Sequence, residues 1–269
     1  MPRSVHVTYS VSPTPAAVAE AAARFFCDNA LAAVKARGAA RIAISGGSTP
    51  KRMFELLADK TKPFFAEVPW DNIHLFWVDE RCVPPTDPDS NYRMTYETML
   101  QYVPLPTARV YRMEGEMAPE VAAARYESRI RNAFKLEGAE TPTFDLILLG
   151  MGDDGHTASL FPHTAGIDEM NAIVMANHVP QKDTWRITLT WPVINQAREV
   201  AFLIEGAAKA EVLHEVLLGE HDPESKPSQL IRPANGRLTL LLDRAAAAKL
   251  PQPADAGAEA TTTGELELR

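Results

Sequence analysis

This chain has little cysteine, no long apolar run and no surplus of positive charge. Cys27 and Cys82 are its only cysteines among 269 residues. Two are too few for a disulfide scaffold, and both read as reduced core or loop positions rather than as a bridge or a nucleophile. No stretch stays apolar for the roughly 20 residues a bilayer span needs, and the first eleven residues lack the apolar segment of a secretory leader. The expectation is a soluble, cytoplasmic protein with no membrane partner. Lys and Arg number 27 against 35 Asp and Glu, a net charge of −8, which argues against a nucleic-acid partner. An anionic ligand would therefore need a local cluster of cations.

Other signatures are missing as well. No G-x-S-x-G elbow offers a nucleophilic serine, and no H-E-x-x-H offers a zinc site. No repeat of solenoid type is visible. Hydrophobic residues nevertheless make up 46% of the chain, a normal globular share that can build a sizeable core.

What is present alternates between two periodicities. Thr14 and Pro15 can open a long helix with an apolar face at Val18, Ala22, Phe25, Phe26, Leu31 and Val34, and Gly38 can end it. Short apolar strands are expected at 41–44, 73–78, 144–149, 173–175, 186–190, 199–204 and 238–243. A short edge strand is expected at 110–113. Helices are expected at 51–59 and 118–136 and after Gly206. Strands interleaved with helices point to an α/β fold, a doubly wound, mostly parallel sheet with helices on both faces, Rossmann-like in outline. Residues 1–250 read as one domain. Residues 251–269, rich in Pro, Ala, Thr and Glu without periodicity, read as a flexible tail.

Chemistry gathers at the strand ends. The strand ending at Leu149 runs into Gly150-Met151-Gly152-Asp153-Asp154-Gly155-His156-Thr157-Ala158-Ser159-Leu160-Phe161-Pro162. Three glycines allow a sharp turn and close backbone approach, and Asp154 and His156 emerge where open α/β sheets bind ligands. Histidine ordinarily titrates near 6.5, so it can move protons at neutral pH. The strand ending at Ile44 leads into Ser45-Gly46-Gly47-Ser48-Thr49-Pro50, where Ser48 or Thr49 can cap a helix whose free N–H groups suit an anion. That loop completes neither a P-loop nor a dinucleotide fingerprint. Asp79-Glu80-Arg81 close a third strand and should sit at a cleft rim. Lys209, in the first turn of a helix, opposes the helix dipole unless an anion neutralises it. His74 lies on an apolar strand and reads as structural.

Taken together, SGGSTP at 45–50, WVDER at 77–81, Ser90-Asn91, GMGDDGHTASLFP at 150–162, RITLT at 186–190 and Gly206-Ala207-Ala208-Lys209 resemble the 6-phosphogluconolactonases. These belong to the sugar-phosphate isomerase and deaminase superfamily. The similarity runs in order up to about residue 247; Leu240 stands where that family commonly has Trp. The resemblance implies a small sugar-phosphate lactone as substrate; no cofactor is expected, and with no ligand motif present no metal is expected either. It also implies His156 as general base with Asp154 beside it. The phosphate would be held by Gly46, Gly47, Ser48, Thr49, Arg81 and Lys209, with Arg186 a further contact. Backbone N–H groups of the glycine loop are expected to stabilise an oxyanion. The expected state is a monomer or weak homodimer.

Rival readings remain open at this level. An isomerase or deaminase of the same superfamily would need a further carboxylate near 77–79, and Asp79 and Glu80 are available. A sugar-phosphate sensor would need a DNA-binding segment, and no basic helix-turn-helix occurs. A metal hydrolase would have to assemble Asp153, Asp154, His156 and His163.

Overall fold

The computed structural model describes residues 5–251 and 260–268. Its centre is an eight-stranded sheet in the order β11-β1-β10-β9-β6-β2-β3-β5. The strands are β1 Val5–Ser12, β2 Ala40–Ile44, β3 Ile73–Trp77, β5 Val110–Tyr111, β6 Leu146–Leu149, β9 Glu199–Ile204, β10 Arg237–Asp243 and β11 Thr262–Leu268. All neighbours pair in parallel except β11, which runs antiparallel to β1. Strands buried on both faces read as unbroken apolar runs, and β6 (LILL) and β9 (EVAFLI) are buried at every position. A second, antiparallel sheet joins β4 Asp79–Arg81, β8 Thr184–Leu189 and β7 Val174–Val179 in the order β4-β8-β7.

Helices α1 Pro15–Arg37, α2 Ser48–Ala58, α3 Pro63–Glu67, α4 Asn91–Thr95, α5 Pro119–Phe134, α6 Trp191–Ile194 and α7 Ala210–Leu218 fill the connections. Crossovers between parallel strands are right-handed. The chain steps one way along the sheet from β1 through β2 and β3 to β5, which puts α1 and α2 on one face. It then steps back through β6 and β9 to β10, which puts α5 and α7 on the other. The expected doubly wound sheet is what forms. The direction reverses between β2 and β6, which are neighbours, so the loops leaving their carboxyl ends diverge and open a crevice. Among the described residues no helix is long and apolar enough to cross a membrane.

Local signals account for most of the boundaries. Thr14 Oγ1 accepts the Ala17 N–H, and Gly38 closes α1 at φ 76°. Ser90 Oγ accepts the Arg93 N–H at the start of α4. His74 donates or accepts at Tyr111 Oη over 3.0 Å, burial lowers its pKa, and it serves the core. Leu240 is buried in β10. Both cysteines are free, and burial pushes their thiols up to about 12 for Cys27 and about 11 for Cys82.

Three expectations need correction. No strand was expected before Ser12, yet β1 forms, and its buried Val5, Val7, Tyr9 and Val11 repeat with period two. Residues 251–269 were expected to be a flexible tail, yet Thr262–Leu268 pairs with β1 from Val5 to Val11. Its inward residues Gly264, Leu266 and Leu268 alternate with outward Thr263, Glu265 and Glu267. Gly264 is needed there, because a Cβ would fall 2.2 Å from the Tyr9 ring. Residues 252–259 of that tail lie outside the described residues. The third correction concerns α2, whose N-cap is Gly47 and not Ser48 or Thr49; no side chain caps its first N–H groups.

Candidate active site

A cavity of about 530 Å³ opens at the β2/β6 switch point. Four strand ends contribute to it. β2 supplies Ser45 to Thr49, β6 supplies Gly150, Met151 and His156, β4 supplies Asp79 and Arg81, and β9 supplies Glu205, Gly206 and Lys209. Ser45 Oγ donates to the Leu148 carbonyl at 2.8 Å and ties the first two of these ends together.

The glycine loop is built around its histidine. Gly152 N–H donates to the His156 carbonyl at 2.8 Å, and Gly155, at φ 85°, donates to the Gly152 carbonyl at 3.1 Å. Asp154 Oδ1 lies 2.5 Å from His156 Nδ1 and 3.1 Å from the His156 backbone nitrogen. The imidazole stacks on Phe161 at 4.0 Å between ring centres. Burial works to raise the Asp154 carboxyl. The hydrogen bond and charge of His156 outweigh it and hold the carboxyl at about 2. With Nδ1–H donated to Asp154, Nε2 is the nitrogen left with a lone pair. Gly150, Gly152 and Gly155 match the dinucleotide spacing, but a Thr157–Leu160 bridge follows in place of a helix, so the fingerprint lacks its structural context. The N–H groups of Gly152 and Gly155 are bonded within the loop, so these two do not serve as oxyanion donors.

The β2 loop approaches as closely as its glycines permit. A Cβ at Gly46 would fall 1.9 Å from Asn91 Oδ1, and Gly47 takes φ 114°. Uncapped N–H groups at the start of the eleven-residue α2 leave partial positive charge facing the cavity. Asn91 Nδ2 donates to the Asp79 carbonyl at 3.0 Å.

The charged rim divides into distinct parts. Glu80 is a buried strut: it accepts the backbone N–H groups of Arg81, Asn91 and Tyr92 and the Ser90 hydroxyl. Burial pushes its carboxyl up, opposed by those N–H donors. Asp79 accepts from the Ser159 hydroxyl at 2.7 Å. The Arg81 guanidinium pairs with neither; it donates to the Asp89 carbonyl. Lys209 donates to Asp153. Arg186 stands opposite Arg81 in the β4/β8 register, and burial, then the Arg81 charge, hold it below the usual arginine value. Like charges directly opposed on a strand pair are unfavourable unless an anion lies between them.

Of the residues expected from sequence, Gly46, Gly47, Ser48, Thr49, Arg81, His156 and Lys209 line the one cavity. Asp154 reaches it through His156, and Arg186, opposite Arg81 on β8, is not among the lining residues. Arg52, Asp79 and Asn91 also line it. Arg52 carried no motif, and only its place four residues after Ser48 on one helix face pointed to it. The quartet for a metal hydrolase does not converge, since Asp153 faces Lys209 and His163 Nδ1 faces Glu224 at 3.2 Å.

An imidazole held by a carboxylate beside an uncapped helix start, at the switch point of a doubly wound sheet, defines the site of this α/β protein. The chain belongs to the family of glucosamine-6-phosphate isomerases and 6-phosphogluconolactonase, whose model matches residues 13–240. It is 42% identical over 219 residues to the 6-phosphogluconolactonase of Synechocystis, covering 81% of this chain and 88% of that one. The solved 6-phosphogluconolactonase from Trypanosoma cruzi superposes with a TM-score of 0.77 at 30% identity, over 90% of this chain and 96% of that one. A monomeric glucosamine-6-phosphate deaminase superposes with a TM-score of 0.74 over 90% and 99% at 20% identity, a likeness of fold alone.

Proposed function

We infer that this chain hydrolyses 6-phospho-D-glucono-1,5-lactone to 6-phospho-D-gluconate, the lactonase step of the pentose phosphate pathway. The observation that carries the reading is the 2.5 Å contact between Asp154 and Nδ1 of the cavity-lining His156, which leaves Nε2 as a base. The relatives named above support the substrate.

The β2 loop, Arg81 and Lys209 would hold the phosphate, with Arg186, opposite Arg81 on β8, a further contact. Holding the phosphate fixes the lactone carbonyl near His156 and removes the entropy cost of bringing ester and base together. Neutral His156 takes a proton from water as the oxygen attacks the carbonyl. Asp154 keeps the imidazole in the Nδ1–H tautomer and stabilises the imidazolium that forms. The imidazolium then protonates the ring oxygen as the C–O bond breaks, and neutral His156 is regenerated. One water is consumed, and no metal or cofactor takes part.

Asp79 bears on the isomerase and deaminase rival. Its carboxylate is engaged by Ser159 and faces the cavity, so it is the group such chemistry would have to use. Incubation with 6-phosphogluconolactone and, separately, with glucosamine 6-phosphate tests the choice. Acid release from the lactone without ammonia from the amino sugar supports the lactonase; ammonia release overturns it.

A further inference from the structure

The cavity holds an ion pair that none of these roles uses. Arg52, on α2, donates from Nη1 to Glu205 Oε1 at 2.8 Å, and both side chains line the cavity. The two partners are unequal: the Arg52 side chain is 48% exposed, and that of Glu205 only 11%. The second carboxylate oxygen, Glu205 Oε2, is buried and has no hydrogen-bond partner among the described residues. Next to it, the Gly206 N–H is shared between both oxygens of Asp243 at 3.0 and 3.1 Å, which pins the backbone. So the carboxylate is fixed and poorly satisfied, while the guanidinium is on a flexible stem facing solvent.

A buried carboxylate is out of place in a cavity meant for a dianion. It repels the ligand and occupies a cation. Lys209 also rests on a carboxylate, that of Asp153 from the glycine loop, but there the cation is the more buried partner and the carboxylate the exposed one. Arg52 and Lys209 thus each rest on a carboxylate, and of the two carboxylates it is Glu205 that lines the cavity.

We propose that Arg52 is a further ligand of the substrate phosphate and that Glu205 is its resting partner, exchanged for the phosphate when substrate enters. This rests on the reading that the cavity takes a phosphorylated lactone. A half-exposed ion pair is weak and easily exchanged. A phosphate offers the guanidinium two acceptors at once, a fork that the single Glu205 contact does not provide. The uncapped N–H groups of α2 lie on the same helix as Arg52 and favour the same anion. The competing role is a strut that simply joins α2 to β9. A strut makes the opposite forecast, because removing Glu205 would then loosen the site for every ligand.

The test is calorimetric binding of inorganic phosphate to wild type, Arg52→Ala, Arg52→Lys and Glu205→Gln, with melting curves to confirm folding. Arg52→Ala should weaken phosphate binding ~10-fold or more, and Arg52→Lys, which keeps the charge but not the fork, should fall between. Glu205→Gln should tighten it ~3–10-fold, because repulsion is relieved and Arg52 is released. Unchanged phosphate affinity in Arg52→Ala, or weaker affinity in a folded Glu205→Gln, overturns the proposal. Should Glu205→Gln not fold, the two Arg52 variants decide it. Turnover of 6-phosphogluconolactone by wild type in parallel keeps the questions apart: absence of turnover defeats the lactonase reading, while the phosphate titrations still judge Arg52.

Discussion

Gly152 lies directly beneath His156: a Cβ at position 152 would fall 2.0 Å from His156 Nδ1 and 2.7 Å from Asp154 Oδ1. The smallest side chain would therefore separate the imidazole from its carboxylate. Gly152→Ala should leave the core and the melting temperature nearly unchanged, because the loop is at the cavity rim. Turnover should fall by ~10²-fold, the usual cost of a displacement of about 1 Å at a reacting group. A Gly152→Ala enzyme with wild-type kcat would mean that the Asp154–His156 contact is not needed.

Asp154 makes stability depend on pH. Its carboxyl sits at about 2 in the folded chain, below the ordinary aspartate value of roughly 3.9. A depressed carboxyl contributes stability that is fully present above the unfolded value and disappears as pH falls through the folded one. Urea unfolding of wild type and Asp154→Asn should differ most near neutral pH. The difference should shrink as pH drops from about 4 towards 2. A gap that stays constant across that window would assign the effect to shape rather than charge.

Arg81 and Lys209 come from different strand ends yet line one cavity. A hydrogen bond to a charged group is worth about 1.5–3 kcal/mol, so Arg81→Ala or Lys209→Ala should each lower kcat/KM by ~10–150-fold on the phosphorylated lactone. The loss should nearly vanish on unphosphorylated gluconolactone. Equal losses on both lactones would remove the residue from the phosphate site.

Glu80 is expected to matter to the fold rather than to the chemistry. Three backbone N–H groups and the Ser90 hydroxyl converge on its carboxylate. Glu80→Gln turns an N–H₂ toward these donors and should cost about 1–3 kcal/mol in denaturant unfolding. Full stability in that variant would show that the donors find other partners.

The chemistry was more legible in the sequence than the edges of the fold. Buried strands such as β6 and β9 announce themselves because both faces are covered, so the apolar run is unbroken. The loops after β2 and β6 could be assigned because glycine spacing reports close approach, as Gly46 against Asn91 and Gly152 against His156 bear out. Edge strands carry less signal. β11 alternates Thr, Glu and Leu with a central Gly, and its order comes from pairing with β1 rather than from any local preference. The α2 cap went unread because Gly47, at φ 114°, opens the helix one residue before the hydroxyls of Ser48 and Thr49 that were expected to cap it. Arg52 was invisible for a different reason: its neighbour Glu205 is 153 residues away. Only the sheet order brings β9 to the mouth of the β2 loop.

The most direct test of the lactonase reading is the rate of 6-phosphogluconate formation from freshly prepared lactone by His156→Asn, corrected for spontaneous hydrolysis. Asn preserves polarity and approximate size but cannot take a proton from water. The expected result is a fall in kcat of ~10²–10⁴-fold with KM largely kept, the usual cost of losing a general base. Turnover close to that of the wild type would contradict His156 as the base and require another group in the cavity to activate water.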